Sequence, residues 1–443
     1  MKSPFITAPS RRSLVRGLLA GAGAAAVSGV LPSAAAAAGT GRGSRGAADH
    51  VILIAWDGFD PRYVDLAPLP NLRRLAKRGS LSTSRGVMTS ITNPSWASVA
   101  TGAWPERTLN TAYFFDSKAG VARGQMRDLA VPTIAQAVRA QGGTVASAQW
   151  FIVQNHGTAY GDPEGIYTQP GGPASRRFDD IIAVIEGRPV RSGATTVTAP
   201  RIPELMAVYC DELDGLGHAG GEDNPALPDA ITVLDGQLGR LVEATKDAGI
   251  HGRTAFVLLG DHGMTTFTRR NGDQILDAVA SAGHTAQILG SGQAPSPGTD
   301  VAIVVGGVGS VHLLGEAAAD PGAARRIKAA IEKADHVTAV YDKGWQRAQR
   351  MSPLHGELII QVDPGWSIGT GEQSGPSGRH GAPTEQESAF LIAGAGVLPN
   401  RRPRAARHVD MAPTMAALLG IDPPAGAQGR VLTEVLRPRH NNH

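Results

Sequence analysis

One cysteine, Cys210, is all the thiol in 443 residues, so an intrachain disulfide and a cysteine-rich metal site are both excluded. Aromatics make up 5% of the chain and charged residues 18%, with 42 Lys and Arg against 39 Asp and Glu for a formal charge of +3. Arginine is scattered, without the long basic blocks or interleaved aromatics of a nucleic-acid groove. No apolar stretch reads as a permanent membrane span. Any metal chemistry must therefore rest on oxygen and imidazole ligands. What the chain does contain is 42% hydrophobic residues, enough for a large core in one domain or two ordinary ones.

The start of the chain is unlike the rest. Ser10-Arg11-Arg12-Ser13-Leu14-Val15 precedes a moderately apolar Gly/Ala-rich run over 17–30, and a small-residue tract over 33–38 offers an Ala-x-Ala cleavage site. That order of basic, apolar and small residues predicts an export signal, and the twin arginine points to the Tat translocation machinery as its partner. A basic disordered tail is the alternative. We expect 1–45 to be signal and flexible start, 46–436 a single metallohydrolase domain, and 437–443, with His440 and His443, a disordered tail. The mature protein is then expected to be secreted or periplasmic.

Along the mature chain, apolar runs at 50–55, 144–148 and 254–259 predict buried strands, and 203–209 predicts a short helical turn running into a strand. Helices are predicted at 70–78, 95–101, 131–141, 225–248, 271–280 and 409–419, several of them closed by glycine. The alternation predicts an α/β fold, an α/β/α sandwich with a central, mostly parallel sheet. Further strands are expected at 301–305, 310–314, 358–362 and 387–392, and a helix at 321–334. Over 151–199 the periodicity fails, and Gly and Pro punctuate the chain. We expect an excursion from the sheet there, with one helix near 179–186, either shaping a substrate pocket or forming a plain surface insertion.

The chemistry-bearing residues cluster beside the strands. Asp57 follows the first apolar run; Asp214 and His218 stand four residues apart after the run ending at Cys210; Asp261 and His262 follow the run ending at Leu259. His380 lies between glycines in Gly378-Arg379-His380-Gly381. In an open α/β sheet, strand ends are where functional loops gather. Singly, each carboxylate has a plain alternative as a loop or helix-capping group, and His380 as a loop residue. Together they offer the mixed imidazole and carboxylate set that zinc-class cations accept. Thr92, in Thr92-Asn93-Pro94-Ser95-Trp96, opens a helix and supplies an alcohol where backbone N–H groups can receive phosphoryl oxygens. Its plain alternative is an N-cap hydroxyl.

In this order the motifs resemble the alkaline phosphatase superfamily, and most closely its nucleotide pyrophosphatase/phosphodiesterase branch. There, a metal-binding Asp ends the first strand and a Thr-x-Pro-Asn-His segment opens the nucleophile helix. Here that segment reads Thr92-Asn93-Pro94-Ser95-Trp96 and runs on to Val99-Ala100-Thr101-Gly102, and Asp410-Met411-Ala412-Pro413-Thr414 is similar to the last helix. The resemblance implies two Zn2+ ions per chain. Asp57, Thr92, Asp261 and His262 would hold one, and Asp214, His218 and His380 the other. It implies Thr92 as nucleophile through a threonyl-phosphoryl intermediate, and Asn110 as an amide contacting a phosphoryl oxygen, with a turn-forming Asn as the alternative. Ser95 and Trp96 depart from the branch's Asn-His pair.

Monoesterases and phosphonoacetate hydrolases of similar build carry basic residues after the third strand, but Phe151 to Tyr160 contains no Lys or Arg. That absence predicts a phosphodiester or pyrophosphate bond in a small phosphodiester or nucleotide-like substrate, and leaves the leaving group open among a nucleotide, a glycerophosphodiester and a phospholipid headgroup. If a monoester or phosphonate were the substrate instead, Arg176 or Arg177 would have to supply the charge. A non-catalytic exported binding protein is the remaining alternative, although every position of the ligand set is filled. Oligomeric state leaves no trace in the sequence.

Overall fold

The computed structural model describes residues 46–438; the expected export signal and the terminal His440 and His443 lie outside the described residues. Seven strands form the principal sheet: β1 (His50–Trp56), β2 (Gly79–Arg85), β3 (Val145–Ala148), β4 (Gly165–Thr168), β5 (Leu205–Cys210), β6 (Thr254–Leu259) and β7 (Glu387–Gly394), in the order β2-β7-β6-β1-β5-β3-β4. β1 pairs parallel with β5 and β6, and β3 with β4 and β5. Only β7 runs against the others, pairing antiparallel with β6 and β2. The sheet is mostly parallel, as its unbroken apolar strands require when both faces are covered.

Six helices matter for the site and its support: α1 (Thr92–Thr101), α2 (Ile134–Ala140), α3 (Ala174–Ile185), α4 (Glu212–Gly220), α5 (Leu227–Asp247) and α6 (Met411–Leu419). The period of two along β1 divides its side chains between the layers. Ile52, Ile54 and Trp56 pack into one apolar cluster with α3 and α5, while Val51, Leu53 and Ala55 join α1, α2 and α6 in another. The result is an α/β/α sandwich.

Three expectations need correction. The stretch 151–199 is not wholly an excursion: β4 extends the principal sheet and α3 packs on its core, because Ile166, Phe178, Ile181 and Ile182 are all buried. The segment before β5 forms no helical turn. Arg437 does not begin a loose tail, since its N–H donates to Gly396 O at 2.8 Å.

The strands at Val301–Gly306, Val308–Leu313 and Leu358–Val362 belong to a separate five-stranded sheet with Ala286–Leu289 and Val337–Tyr341. That sheet buries its own apolar cluster beneath the helices Gly272–Ser281 and Ala323–Ile331. A three-stranded sheet of Thr265–Arg270, Gly365–Ser367 and Ser377–Arg379 delivers the chain to His380.

Candidate metal centre and catalytic pocket

β5, β1 and β6 lie side by side, with Trp56 opposite Cys210 and Ala55 opposite Leu259, so all three acidic loops leave the same end of the sheet. Asp57 N donates to Cys210 O at 2.8 Å, and Gly58 N donates to Asp261 Oδ1 at 2.9 Å. Gly58 has φ +67°, and a Cβ there would stand 2.9 Å from the Asp214 Cα. Glycine thus permits the first loop to close on the second.

Two groups of ligand-type atoms result: Asp57 with Asp261 and His262, and Asp214 with His218 and His380. They adjoin one another. Asp214 Oδ1 is 3.3 Å from His218 Nε2, 3.5 Å from His380 Nε2 and 3.9 Å from His262 Nε2. The His262 and His380 rings stack at 3.5 Å between centroids.

Each imidazole is oriented in the same way. His218 Nδ1 meets Gly378 O, His262 Nδ1 meets Gly263 O, and His380 Nδ1 meets Ser90 O, all at 3.0 Å. A carbonyl only accepts, so Nδ1 carries a proton and Nε2 is the nitrogen that faces the carboxylates and would be free to ligate a cation. This is the arrangement that metal-binding histidines use. Asp57 Oδ1, Asp214 Oδ1 and Asp261 Oδ2 are buried and lack hydrogen-bond partners. Orphaned carboxylate oxygens beside oriented imidazoles fit a cation site.

The electrostatics agree. Burial, followed by Asp57, pushes the Asp214 carboxyl up to about 6 and Asp261 well above its ordinary value. At His262, burial is outweighed by Asp261 and Asp57, leaving the ring at about 10. Burial, with His262 and His218, drives His380 well below the usual range. Negative charge is in excess among the carboxylates, and protons or cations must offset it.

Thr92 opens α1, but its hydroxyl is not the cap: extended Ile91 is the N-cap and makes no side-chain capping bond. Thr92 Oγ1 instead lies 3.3 Å from His262 Nε2. A cavity of about 380 Å³ opens there, lined by Asp57, Thr92, Asp211 and Asp214 together with Asn93, Gln125, Arg127, Phe151 and Tyr209. Asn93 N donates to Gln125 Oε1 at 3.0 Å. Tyr209 OH donates to Asp57 Oδ2, and the Tyr209 ring meets Phe151 edge to face at 5.3 Å.

Asn110 is not brought to this cavity. It is fully buried, and its amide donates to Met126 O and Asp128 O, both at 3.0 Å, so both amide hydrogens brace the 124–130 segment. Arg177 is also spent elsewhere: it is buried and paired with Asp211 at 2.9 Å and Glu212 at 3.2 Å. The cation that does line the cavity is Arg127, which sequence reasoning missed because its segment has no periodicity and joins Phe151 only in three dimensions. Tyr209 falls within the segment expected to end in a strand, but nothing in the sequence ties its hydroxyl to Asp57.

A mostly parallel α/β sheet that gathers carboxylates and imidazoles at the ends of three adjacent strands defines a metal-site hydrolase of alkaline-phosphatase-like build. The chain belongs to the type I phosphodiesterase / nucleotide pyrophosphatase family, whose model matches residues 51–383, and is a phosphoric-ester hydrolase of that family. Among curated relatives, a bis(5'-adenosyl)-triphosphatase, enpp4, of Xenopus laevis is 24% identical over 84% of this chain and 78% of its own. Human ectonucleotide pyrophosphatase/phosphodiesterase family member 7 is 24% identical over 52% of this chain and 51% of its own. Murine ectonucleotide pyrophosphatase / phosphodiesterase 5 superposes with a TM-score of 0.65 at 18% identity, covering 84% of this chain and 96% of that one. An inactive threonine-to-alanine form of that mouse protein, in complex with AMP, superposes with a TM-score of 0.66 at 17% identity, covering 85% of this chain and 96% of that one.

Proposed function

We propose that this protein hydrolyses phosphodiester or pyrophosphate bonds of small, nucleotide-like substrates through a threonyl-phosphoryl intermediate on Thr92. The observation that carries the reading is the position of Thr92 Oγ1 beside His262 Nε2, on the lining of a cavity that Asp57 and Asp214 also wall. Asp57, Asp261 and His262, with Thr92, would hold one zinc-class ion, and Asp214, His218 and His380 a second. When bound, such cations lower the cost of ionising an alcohol or water and offset charge on phosphoryl oxygens.

The chain's own residues do the rest. At the start of α1 the backbone donors are largely engaged within the protein: Asn93 N donates to Gln125 Oε1, Pro94 has no N–H and Ser95 N donates to Ile91 O. Tyr209 holds Asp57 in orientation through its hydroxyl. Thr92 Oγ1 forms its bond to phosphorus as the bond to the leaving-group oxygen breaks. Water then cleaves the threonyl-phosphoryl ester and restores the hydroxyl. The AMP complex of the mouse relative supports a nucleotide-like substrate, and its inactive threonine-to-alanine form supports a threonine at the centre of the chemistry. The twin-arginine start supports a secreted or periplasmic site of action, and among the described residues no helix is long and apolar enough to cross a membrane.

A matched substrate panel tests the reaction class. We expect a higher kcat/KM for bis-p-nitrophenyl phosphate than for p-nitrophenyl phosphate, with chelation abolishing turnover and zinc restoring it. Monoester turnover above every diester would contradict the reading.

A further inference from the structure

Several arginines of the flanking segments are committed to carboxylates. Arg123 pairs with Asp116, Arg139 with Asp162 and Glu164, and Arg177 with Asp211 and Glu212. Arg127 differs. Its Nη1 donates to the neutral Gln154 Oε1 at 2.9 Å, and its guanidinium lies 5.1 Å from the centroid of the Phe151 ring. Among the described residues no Asp or Glu forms an ion pair with it. It is exposed to solvent, yet lines the same cavity as Thr92.

We propose that Arg127 is a specificity-determining residue that recognises a second phosphate of the substrate, next to the phosphoryl group attacked by Thr92; this rests on the hydrolase reading above. Stacking on Phe151 orients the planar guanidinium and leaves N–H groups free for an oxyanion. The contacts run from Asp57 through the Tyr209 and Phe151 rings to Arg127. The phosphoryl at Thr92 is met by the Asp57 end of that series, and Arg127 serves a group farther along the substrate. Thr92 and Arg127 line the same cavity of about 380 Å³, so one small substrate carrying a P–O–P linkage can meet both. Arg127 thereby biases a general phosphodiesterase site toward pyrophosphate-linked substrates.

The test uses the zinc-supplemented full-length protein and two substrates that share a thymidylyl group. TDP-glucose carries the second phosphate; the p-nitrophenyl ester of TMP lacks it. For Arg127→Ala, the ratio of kcat/KM on TDP-glucose to that on the nitrophenyl ester should fall about tenfold or more, chiefly through KM, as loss of a charge-assisted contact implies. Arg127→Lys should recover part of the ratio, because it keeps the charge but loses the fork. An unchanged ratio, or an equal loss on both substrates, would overturn the inference while leaving the hydrolase reading intact. A loss largest on p-nitrophenyl phosphate would also overturn it, since Arg127 would then be meeting the scissile group itself. If the unsubstituted protein turns over none of the three, the hydrolase reading fails and takes the inference with it.

Discussion

At the scale of single residues, the account turns on a hydroxyl that could have had a merely local role. Had Thr92 been an N-cap, its replacement would cost about 1 kcal/mol of helix stability and little activity. The cap is Ile91, and the Thr92 oxygen faces His262. Thr92→Ala should therefore lower turnover by about two to three orders of magnitude, roughly 3–4 kcal/mol of barrier, with thermal stability nearly unchanged. Steady-state kinetics beside a melting curve checks both halves, and Thr92→Ser should keep appreciable activity because it preserves the oxygen.

The six acidic and imidazole positions of the candidate centre were legible in the sequence because each sits beside a strand end or between glycines. Asn110 was misplaced because register along an irregular loop has no periodic signal. Arg127 and Tyr209 were missed because the partner that gives each a role is remote in sequence.

At the scale of elements, strands with unbroken apolar runs and helices with spaced apolar faces were readable, whereas short or polar strands were not. β2, for example, reads Gly-Ser-Leu-Ser-Thr-Ser-Arg and becomes a strand only by pairing with β7 along its whole length. The His380 loop likewise depends on partners that no local pattern reveals. Glu385 accepts Ala382 N at 2.8 Å and Thr265 Oγ1 at 2.6 Å, and its Oε1 lies 3.6 Å from buried Arg379 Nη1. It thus ties the segment after His380 to the strand that follows His262. Glu385→Ala would leave Arg379 buried without its carboxylate and should cost about 3 kcal/mol of stability. It should also weaken metal affinity about tenfold by loosening an imidazole ligand. Denaturant unfolding and a metal titration measure the two effects separately; intact affinity in a folded variant would contradict the positioning role.

At the scale of the whole molecule, the second sheet contributes a pH dependence away from the candidate metal centre. His312 Nε2 accepts the Phe115 N–H at 3.1 Å and lies 3.0 Å from Ser310 Oγ, so protonating that nitrogen would set N–H against N–H. Burial, followed by His355 and Lys343, brings His312 down to about 3, against an ordinary value of 6.5. Between those values the unfolded chain binds a proton that the native state does not, so stability is fully present above pH 6.5 and falls as pH is lowered toward 3. From pH 7 to pH 5 the loss from this one ring is about 2 kcal/mol. His312→Gln, which retains an acceptor, should flatten the stability-versus-pH curve by that amount in urea melts; an unaltered slope would show that the ring is already charged in the native state.

The central claim, that fold, cation site and threonine act together as a phosphodiester hydrolase, meets its most direct test in a single quenched turnover. Zinc-loaded protein is mixed with a slow diester, stopped in acid before the second step and digested for mass mapping. The account predicts a phosphoryl adduct on the peptide containing Thr92, absent from Thr92→Ala. Turnover near the unsubstituted rate by Thr92→Ala, or an adduct on any other residue, would contradict it.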